Sequence, residues 1–135
     1  HLIKNCIEAA LGKSPGVTIF GNDYDTEDGT CIRDFIFVED ISRAHILGLQ
    51  HIDGTLKNQI LNLGSGKGYS VLQVVRAMEE IFGTKIKITF GPRRPGDAKM
   101  VVADACKIER LVGWRPAQDS LHQIGYSLRE WSKKS

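Results

Sequence analysis

One stretch constrains the fold of this chain more than any other: Ser70 to Phe82, with an apolar run on either side. Ser70 followed three residues later by Gln73 is a capping box, in which side chains and backbone at a helix start satisfy one another. Val71, Val74, Val75, Met78, Ile81 and Phe82 then form one apolar stripe at helical spacing. Before the helix stands "QILNL" (Gln59–Leu63), a short, mostly apolar run that reads as a strand and is broken by "GSGKGYS". After it, "KIKITF" alternates strictly and puts Ile86, Ile88 and Phe90 on one strand face. Strand, capped helix, strand is the unit of an α/β fold.

The remaining segments continue the alternation. "HLIKNCIEAALG" sets Ile3, Ile7 and Leu11 at helical spacing, with Cys6 and Ala10 between them. Val17–Phe20 and "CIRDFIFV" (Cys31–Val38) read as strands, the second from its β-branched and aromatic content. A polar loop, "GNDYDTEDGT", joins them. Asp40 is placed to cap a helix over roughly Ile41–Ile52. "MVVA" reads as another short strand, and Asp104 as the cap of a helix closed by Gly113. Ser120 and Gln123 form a second capping box, opening a helix with the stripe Leu121, Ile124, Leu128 and Trp131.

The chain has 135 residues, about one domain, and its 41% apolar content can fill a core. Net charge is +2, from 18 basic and 16 acidic residues. That near balance argues against broad nucleic-acid or membrane binding and leaves room for one local anion site. There is no long apolar run and no signal peptide. Cys6, Cys31 and Cys106 are odd in number and far apart, which points to a reduced, cytoplasmic setting. The chain opens on His1 and enters a helical pattern at once, so it reads as part of a longer protein.

Two near-motifs fail on inspection. "GSGKG" lacks the P-loop glycine, since Leu61 stands there, and Gly68 follows Lys67 where Ser or Thr is needed. A dinucleotide loop would need a third glycine where Tyr69 stands. The segment reads as a turn. "DYDTEDGTCIRD" spaces Asp23, Asp25 and Glu27 like calcium ligands, but its glycine comes one residue late, at Gly29, and Asp34 holds the twelfth place. Those acids read as a solvated loop. The four histidines make no HExxH or HxxxH pair, so no metal site is expected.

"GPRRPGD" (Gly91–Asp97) is the segment that asks for a ligand. It holds Arg93 and Arg94 between two prolines, and prolines stiffen the backbone. Arg33 lies inside the Cys31–Val38 run and shares a strand face with Phe35 and Phe37. Arginine forks from two segments can clamp a diphosphate. An internal ion pair, of Arg33 with Asp34 or Asp97, fits the same pattern. The residues alone leave both readings open.

"IFGNDYDTEDGTCIRDFIFVEDISRAH", "ILNLGSGKGYSV", "PRRPGD", "VGWRP" and the last capped helix resemble, in the same order, the carboxy-terminal portion of the UDP-glucose 4-epimerases. These are extended short-chain dehydrogenase/reductases. The resemblance covers essentially the whole chain, and its first and "PRRPGD" segments are the specific ones. It implies an α/β substrate-binding part of a Rossmann-type parent, made of mixed short strands and helices over residues 1–135. The NAD-binding amino-terminal half, with its glycine loop, catalytic Ser or Thr and Tyr-x-x-x-Lys pair, would then be absent. This chain has no such pair: Asp28, Gln73 and Glu130 stand four residues after its three tyrosines. No catalytic, NAD-binding or metal residue is therefore expected here.

The same resemblance implies a UDP-sugar site. The backbone of Thr18, Ile19 and Phe20 would meet the uracil edge, Arg33 and Arg94 would grip the diphosphate, and Asp97 would accept the ribose hydroxyls. Val101 falls where the family places a residue gating the sugar pocket, and its small size would admit N-acetylated sugars. The family reaction inverts C4 through an NAD-dependent 4-keto intermediate that turns while the UDP end stays anchored. A homodimeric, cytoplasmic parent with no nucleic-acid or membrane partner goes with it. Phe35 and Phe37 stand where the family has Tyr and His, and Lys4 where it has Pro, which bears on the sugar more than on UDP. Alternatives are a pentose or uronic-acid 4-epimerase, a dehydratase, or a non-catalytic nucleotide-binding module. On the epimerase reading, "QILNL" joins strands outside the chain, leaving its ladder and the stripe of the next helix open to water.

Overall fold

A computed structural model gives the structure of residues 2–117 and 120–133. The elements alternate as the sequence pattern implies: α1 (Leu2–Ala10), β1 (Val17–Phe20), β2 (Ile32–Asp34), α2 (Val38–His51), β3 (Gly68–Ser70), α3 (Val71–Phe82), β4 (Ile88–Gly91), β5 (Met100–Val101), α4 (Cys106–Val112) and α5 (Leu121–Ser132). They group into two compact units.

The first unit takes residues His1–Arg33, Tyr69–Val101 and Ser120–Ser135. Its centre is α3, which packs against α1 and α5. Val74, Val75, Met78 and Ile81 are buried, together with Cys6 of α1 and Leu121 and Ile124 of α5. The expectation of an open stripe on α3 is thus overturned: three amphipathic helices close over one another within this chain. The stripe read for α5 stops short, since Trp131 is 65% exposed. Both capping boxes are formed, at Ser70–Gln73 and Ser120–Gln123. After α3 the buried Glu79 carboxylate accepts the Ile86 N–H at 2.9 Å and pairs with Arg76 at 2.7 Å. Burial pushes its pKa up, but the Arg76, Ile86 and Lys85 donors outweigh that and hold it below the usual carboxylate range.

β1 pairs in parallel with β4, with Thr18 opposite Thr89 and Phe20 opposite Gly91. A second sheet has the order β3-β2-β5, with Arg33 opposite Val101 in a parallel pair. The strands are shorter than their apolar runs. β2 ends at Asp34, so Arg33 shares no strand face with Phe35 or Phe37, and Phe37 is instead the buried residue preceding α2.

The second unit takes Asp34–Gly68 and Val102–Asp119. Its core gathers Ala44, Ile108 and Trp114, with Leu61 and Leu63 packed against them. α2 starts earlier than the position of Asp40 suggests, and no side chain caps it. Asp40 is drawn inside: its carboxylate accepts the Ala117 N–H at 3.0 Å and pairs with Arg43, and its carbonyl accepts the Trp114 indole N–H at 3.0 Å. Ahead of α4 the Asp104 carboxylate accepts the Cys106 N–H at 2.9 Å, but the cap position is Ala105 and not Asp104, and Gly113 closes the helix in the left-handed region. Gln59–Leu63 is not a strand. Leu61 and Leu63 turn inward while Ile60 is 86% exposed, so the alternation of a strand is there without a ladder. No strand among the described residues lies alongside to complete one.

Candidate functional site

The sequence-predicted ligand residues all fall in the first unit. β1 has β4 on one edge only, and no strand among the described residues pairs with the other. The Val17 and Gly21 N–H groups donate to the β4 side, so the alternate residues Thr18 and Phe20 turn their backbone groups to the open edge, while those of Ile19 face β4. The Ile19 side chain is buried, whereas Phe20 is half-buried.

β4 leads directly into the Gly91–Asp97 loop, as read from the sequence. The loop turns tightly: the Asp97 N–H donates to the Arg94 carbonyl at 3.2 Å, and Gly96 takes the left-handed φ of 80° that such a turn needs. The turn sets Arg94 and Asp97 side by side on it. The Arg94 guanidinium lies 4.0 Å above the Phe20 ring, a cation–π contact that flattens the fork on β1. Among the described residues no carboxylate pairs with Arg94.

Arg33 reaches the same loop from β2. It donates to the Asp97 carboxylate at 2.7 Å and to its neighbour Ile32's carbonyl at 2.7 Å. The ion-pair reading of Arg33 thus holds for Asp97 and fails for Asp34. Pairing does not exhaust the fork, which carries five N–H donors. Val101, half exposed, stands opposite Arg33 in the β2–β5 register. One strand edge, two arginines, one acid and the proposed gate residue therefore belong to a single connected region.

Asp23 and Asp25 of the polar loop before β2 are solvated as read, Asp25 almost fully exposed, but they also have partners. Asp23 pairs with Arg93 at 2.7 Å and Asp25 with Lys99 at 2.8 Å, each about seventy positions along the chain. Asp28 accepts the Thr30 N–H at 2.9 Å and its hydroxyl at 2.7 Å, and also the hydroxyl of Ser70, the cap of α3. Burial raises the Asp28 pKa, but these donors prevail and hold it below the usual range. Sequence reasoning missed this clasp. Its signal was available: an acidic loop and a basic loop in one chain.

The glycine turn is occupied in another way. The Asp34 carboxylate accepts the backbone N–H groups of Ser65 at 2.9 Å, Gly66 at 3.0 Å and Ala103 at 3.2 Å, and the Ser65 hydroxyl at 2.6 Å. A carboxylate of the chain itself sits where a phosphate would sit in a nucleotide loop. The turn reading is right, and the pyrophosphate of NAD has no place there.

The comparisons with known proteins agree with this geometry. Residues 1–64 match the model of the NAD dependent epimerase/dehydratase family. A UDP-glucose 4-epimerase of Azospirillum brasilense is 46% identical over 133 residues, 98% of this chain and 38% of that protein. The solved UDP-glucose 4-epimerase of Bifidobacterium longum, in complex with NAD+ and UDP, superposes with a TM-score of 0.92 at 38% identity, over 100% of this chain and 40% of that one. In sequence and in fold the chain is similar to the carboxy-terminal part of UDP-glucose 4-epimerases. A UDP-Glc/GlcNAc 4-epimerase of Campylobacter jejuni matches at 44% identity and a TM-score of 0.84, over 99% of this chain and 40% of that one. The chain thus spans about 40% of the length of the epimerases it matches. Among the described residues no helix is long and apolar enough to cross a membrane, and no cluster of His, Cys, Asp or Glu could hold a metal.

Proposed function

We propose that this chain is the UDP-sugar-holding part of an NAD-dependent UDP-glucose 4-epimerase. The carrying observation is the meeting of Arg33, from β2, with Asp97 and Arg94 of one stiff loop beside the open edge of β1. On this reading the backbone of Thr18–Phe20 meets the uracil edge, Asp97 accepts the ribose hydroxyls, and Arg33 and Arg94 hold the diphosphate. These contacts lie away from the reacting sugar carbon. Such remote binding energy can keep the intermediate attached while its sugar turns.

NAD supplies the hydride chemistry of the reaction, and the residues of this chain do not fit it. The glycine turn is filled by Asp34, and no Tyr-x-x-x-Lys pair is present. The cofactor and the proton-transferring groups belong to the other 60% or so of an epimerase-length protein. The unpaired Gln59–Leu63 segment, with the exposed Ile60, Leu49 and Ile52 of the same unit, supports a role in packing against that remainder. A cytoplasmic homodimer is part of the same reading.

Two assays test it. The full-length protein should interconvert UDP-glucose and UDP-galactose with NAD, while residues 1–135 alone should bind UDP without converting either sugar. Turnover by the isolated chain, or no UDP binding by the full-length protein, overturns the reading.

Val101 favours one refinement. It is small, half exposed and in register with Arg33, and the Campylobacter jejuni relative acts on Glc and GlcNAc sugars. The full-length protein should therefore accept UDP-N-acetylglucosamine, and Val101→Tyr should remove that activity while sparing UDP-glucose.

A further inference from the structure

Arg93 stands next to Arg94 in sequence and does something different. Its Nε–H donates to the Asp23 carboxylate at 2.7 Å, and a second N–H donates to the Asp23 backbone carbonyl. Its guanidinium lies 4.2 Å above the ring of Tyr24, which is buried. Gly21 permits this approach: at its φ of 82°, an added Cβ would stand 2.5 Å from the Tyr24 ring and 2.8 Å from the Arg93 Cγ. Six residues further on, Lys99 donates to Asp25 at 2.8 Å. The loop that carries Arg94 and Asp97 is therefore fastened at both ends, and both fasteners are acids of one short segment.

We propose that Asp23 and Asp25 are positioning residues for the anion site, with Arg93 and Lys99 as their handles and no contact of their own with the ligand. The inference rests on the UDP-sugar reading above. Electrostatics and geometry predict opposite signs here. Two carboxylates near an anion site repel the anion, so neutralising one should tighten binding if charge alone mattered. If the acids hold the loop, neutralising one loosens Arg94 and Asp97, and binding weakens although the local charge has become more favourable.

The test is calorimetry on the full-length protein with UDP and, separately, uridine. Asp23→Asn and Arg93→Gln should each weaken UDP about five-fold, as expected of a half-exposed ion pair. Both should leave Tm close to wild type and should weaken uridine less than UDP, since uridine meets Asp97 but has no diphosphate for Arg94. Exchanging the charges, Asp23→Arg with Arg93→Asp, should recover most of the lost UDP affinity. Tighter UDP binding by Asp23→Asn means that the acid acts by charge alone, and a loss in Arg93→Gln without one in Asp23→Asn means that Arg93 touches the diphosphate itself; either overturns the proposal. Equal losses for UDP and uridine with a lowered Tm show a fold contact only, and overturn it too. Arg94→Ala separates the layers: if it leaves UDP unchanged, the anion-site reading falls, whereas a loss there beside wild-type Asp23→Asn removes the positioning role alone.

Discussion

Two loops of this chain look alike in sequence and behave in opposite ways. Each follows an apolar run, and each mixes glycine with positive charge: "GSGKG" after Gln59–Leu63, and "GPRRPGD" after Lys85–Phe90. In the first, the backbone N–H groups that could greet an anion are taken by Asp34. In the second, the backbone is turned by Gly96, and the donors on offer are arginine side chains, one of them spread on Phe20 without a carboxylate partner among the described residues. The difference teaches that a glycine loop reads as an anion site only when its donors are unspent. Asp34, thirty-one residues from Ser65, decides the matter, and nothing within the glycine motif announces it.

The comparison is broken most severely at Arg94. Arg94→Ala should weaken UDP binding to the full-length protein by about 2–5 kcal/mol, the usual loss when one partner of a desolvated charge pair is removed. Lys99→Ala should cost far less, because Lys99 holds the loop through an exposed pair with Asp25 and does not meet the ligand. Equal losses in calorimetry would show that the loop works by net charge and not by a placed fork.

Next in size is the same operation on the other loop. Asp34→Ala strips four hydrogen-bond donors of their acceptor and should lower the stability of the protein by about 1–3 kcal/mol in urea unfolding. Gly64→Ala should act in the same direction, since its Cβ would stand 2.3 Å from Ala103 Cβ and 2.5 Å from the Asp34 carboxylate. If Asp34→Ala instead left stability unchanged and gave the glycine turn affinity for phosphate, the carboxylate would be a plug and not a brace.

How much of this could be read in advance follows from the range of each interaction. The capping boxes at Ser70 and Ser120 span three residues, so the sequence displays them whole, and both are formed. β1 and the loop after β4 were legible for the same reason. Asp40 looked like a cap because the partners that draw it inside, Trp114 and Ala117, lie over seventy residues away. Asp23 and Asp25 of "GNDYDTEDGT" are solvated as their sequence suggests, but their pairing is not legible because Arg93 and Lys99 are as distant. Thr18–Phe20, Arg33, Arg94, Asp97 and Val101 were singled out by resemblance to a family; the structure joins them, and their roles toward UDP remain the proposal above.

A smaller effect separates the braces by pH. Asp28 and Glu79 both have folded-state pKa values below those of the unfolded chain, because donors in the fold favour their charged forms. Their contribution is complete above the unfolded carboxylate value of about 4 and is lost as pH falls through the lowered folded values. Urea midpoints should therefore drop on acidification below about pH 4, and Glu79→Gln should flatten that fall. Cys6 gives the alkaline counterpart: burial, aided by Glu79, pushes its thiol up to about 12 from 9.0. The unfolded thiol ionises first, so stability declines as pH rises past 9.0. An acid limb unchanged by Glu79→Gln would assign that limb to other carboxylates.

The finest contrast lies in the two arms that lead into the loops, and it needs no substitution. Both arms carry apolar residues on alternate positions, so sequence alone treats them as equals. β4 has a parallel partner in β1, and the ladder is continued at both ends: the Val17 N–H donates to Lys87 and the Gly21 N–H to Gly91. In Gln59–Leu63 only the Gln59 N–H has a backbone acceptor among the described residues, the Leu56 carbonyl. Alternation sends Leu61 and Leu63 into a core but cannot supply the hydrogen bonds that protect a backbone. Hydrogen exchange on residues 1–135 should therefore find the amides of Ile60, Leu61, Asn62 and Leu63 among the fastest of the non-terminal residues. Those of β1 and β4 that lie in the ladder should be slow, and so should the centre of α3, where Val74, Val75 and Met78 are buried. In the full-length protein the comparison sharpens. If the remainder of an epimerase supplies the missing neighbours, protection should appear at Ile60–Leu63 and change little in β4. Equal protection of the two arms in the isolated chain would mean that burial of alternate side chains alone holds that backbone, and a packing role for Gln59–Leu63 against the rest of the protein would have to be given up.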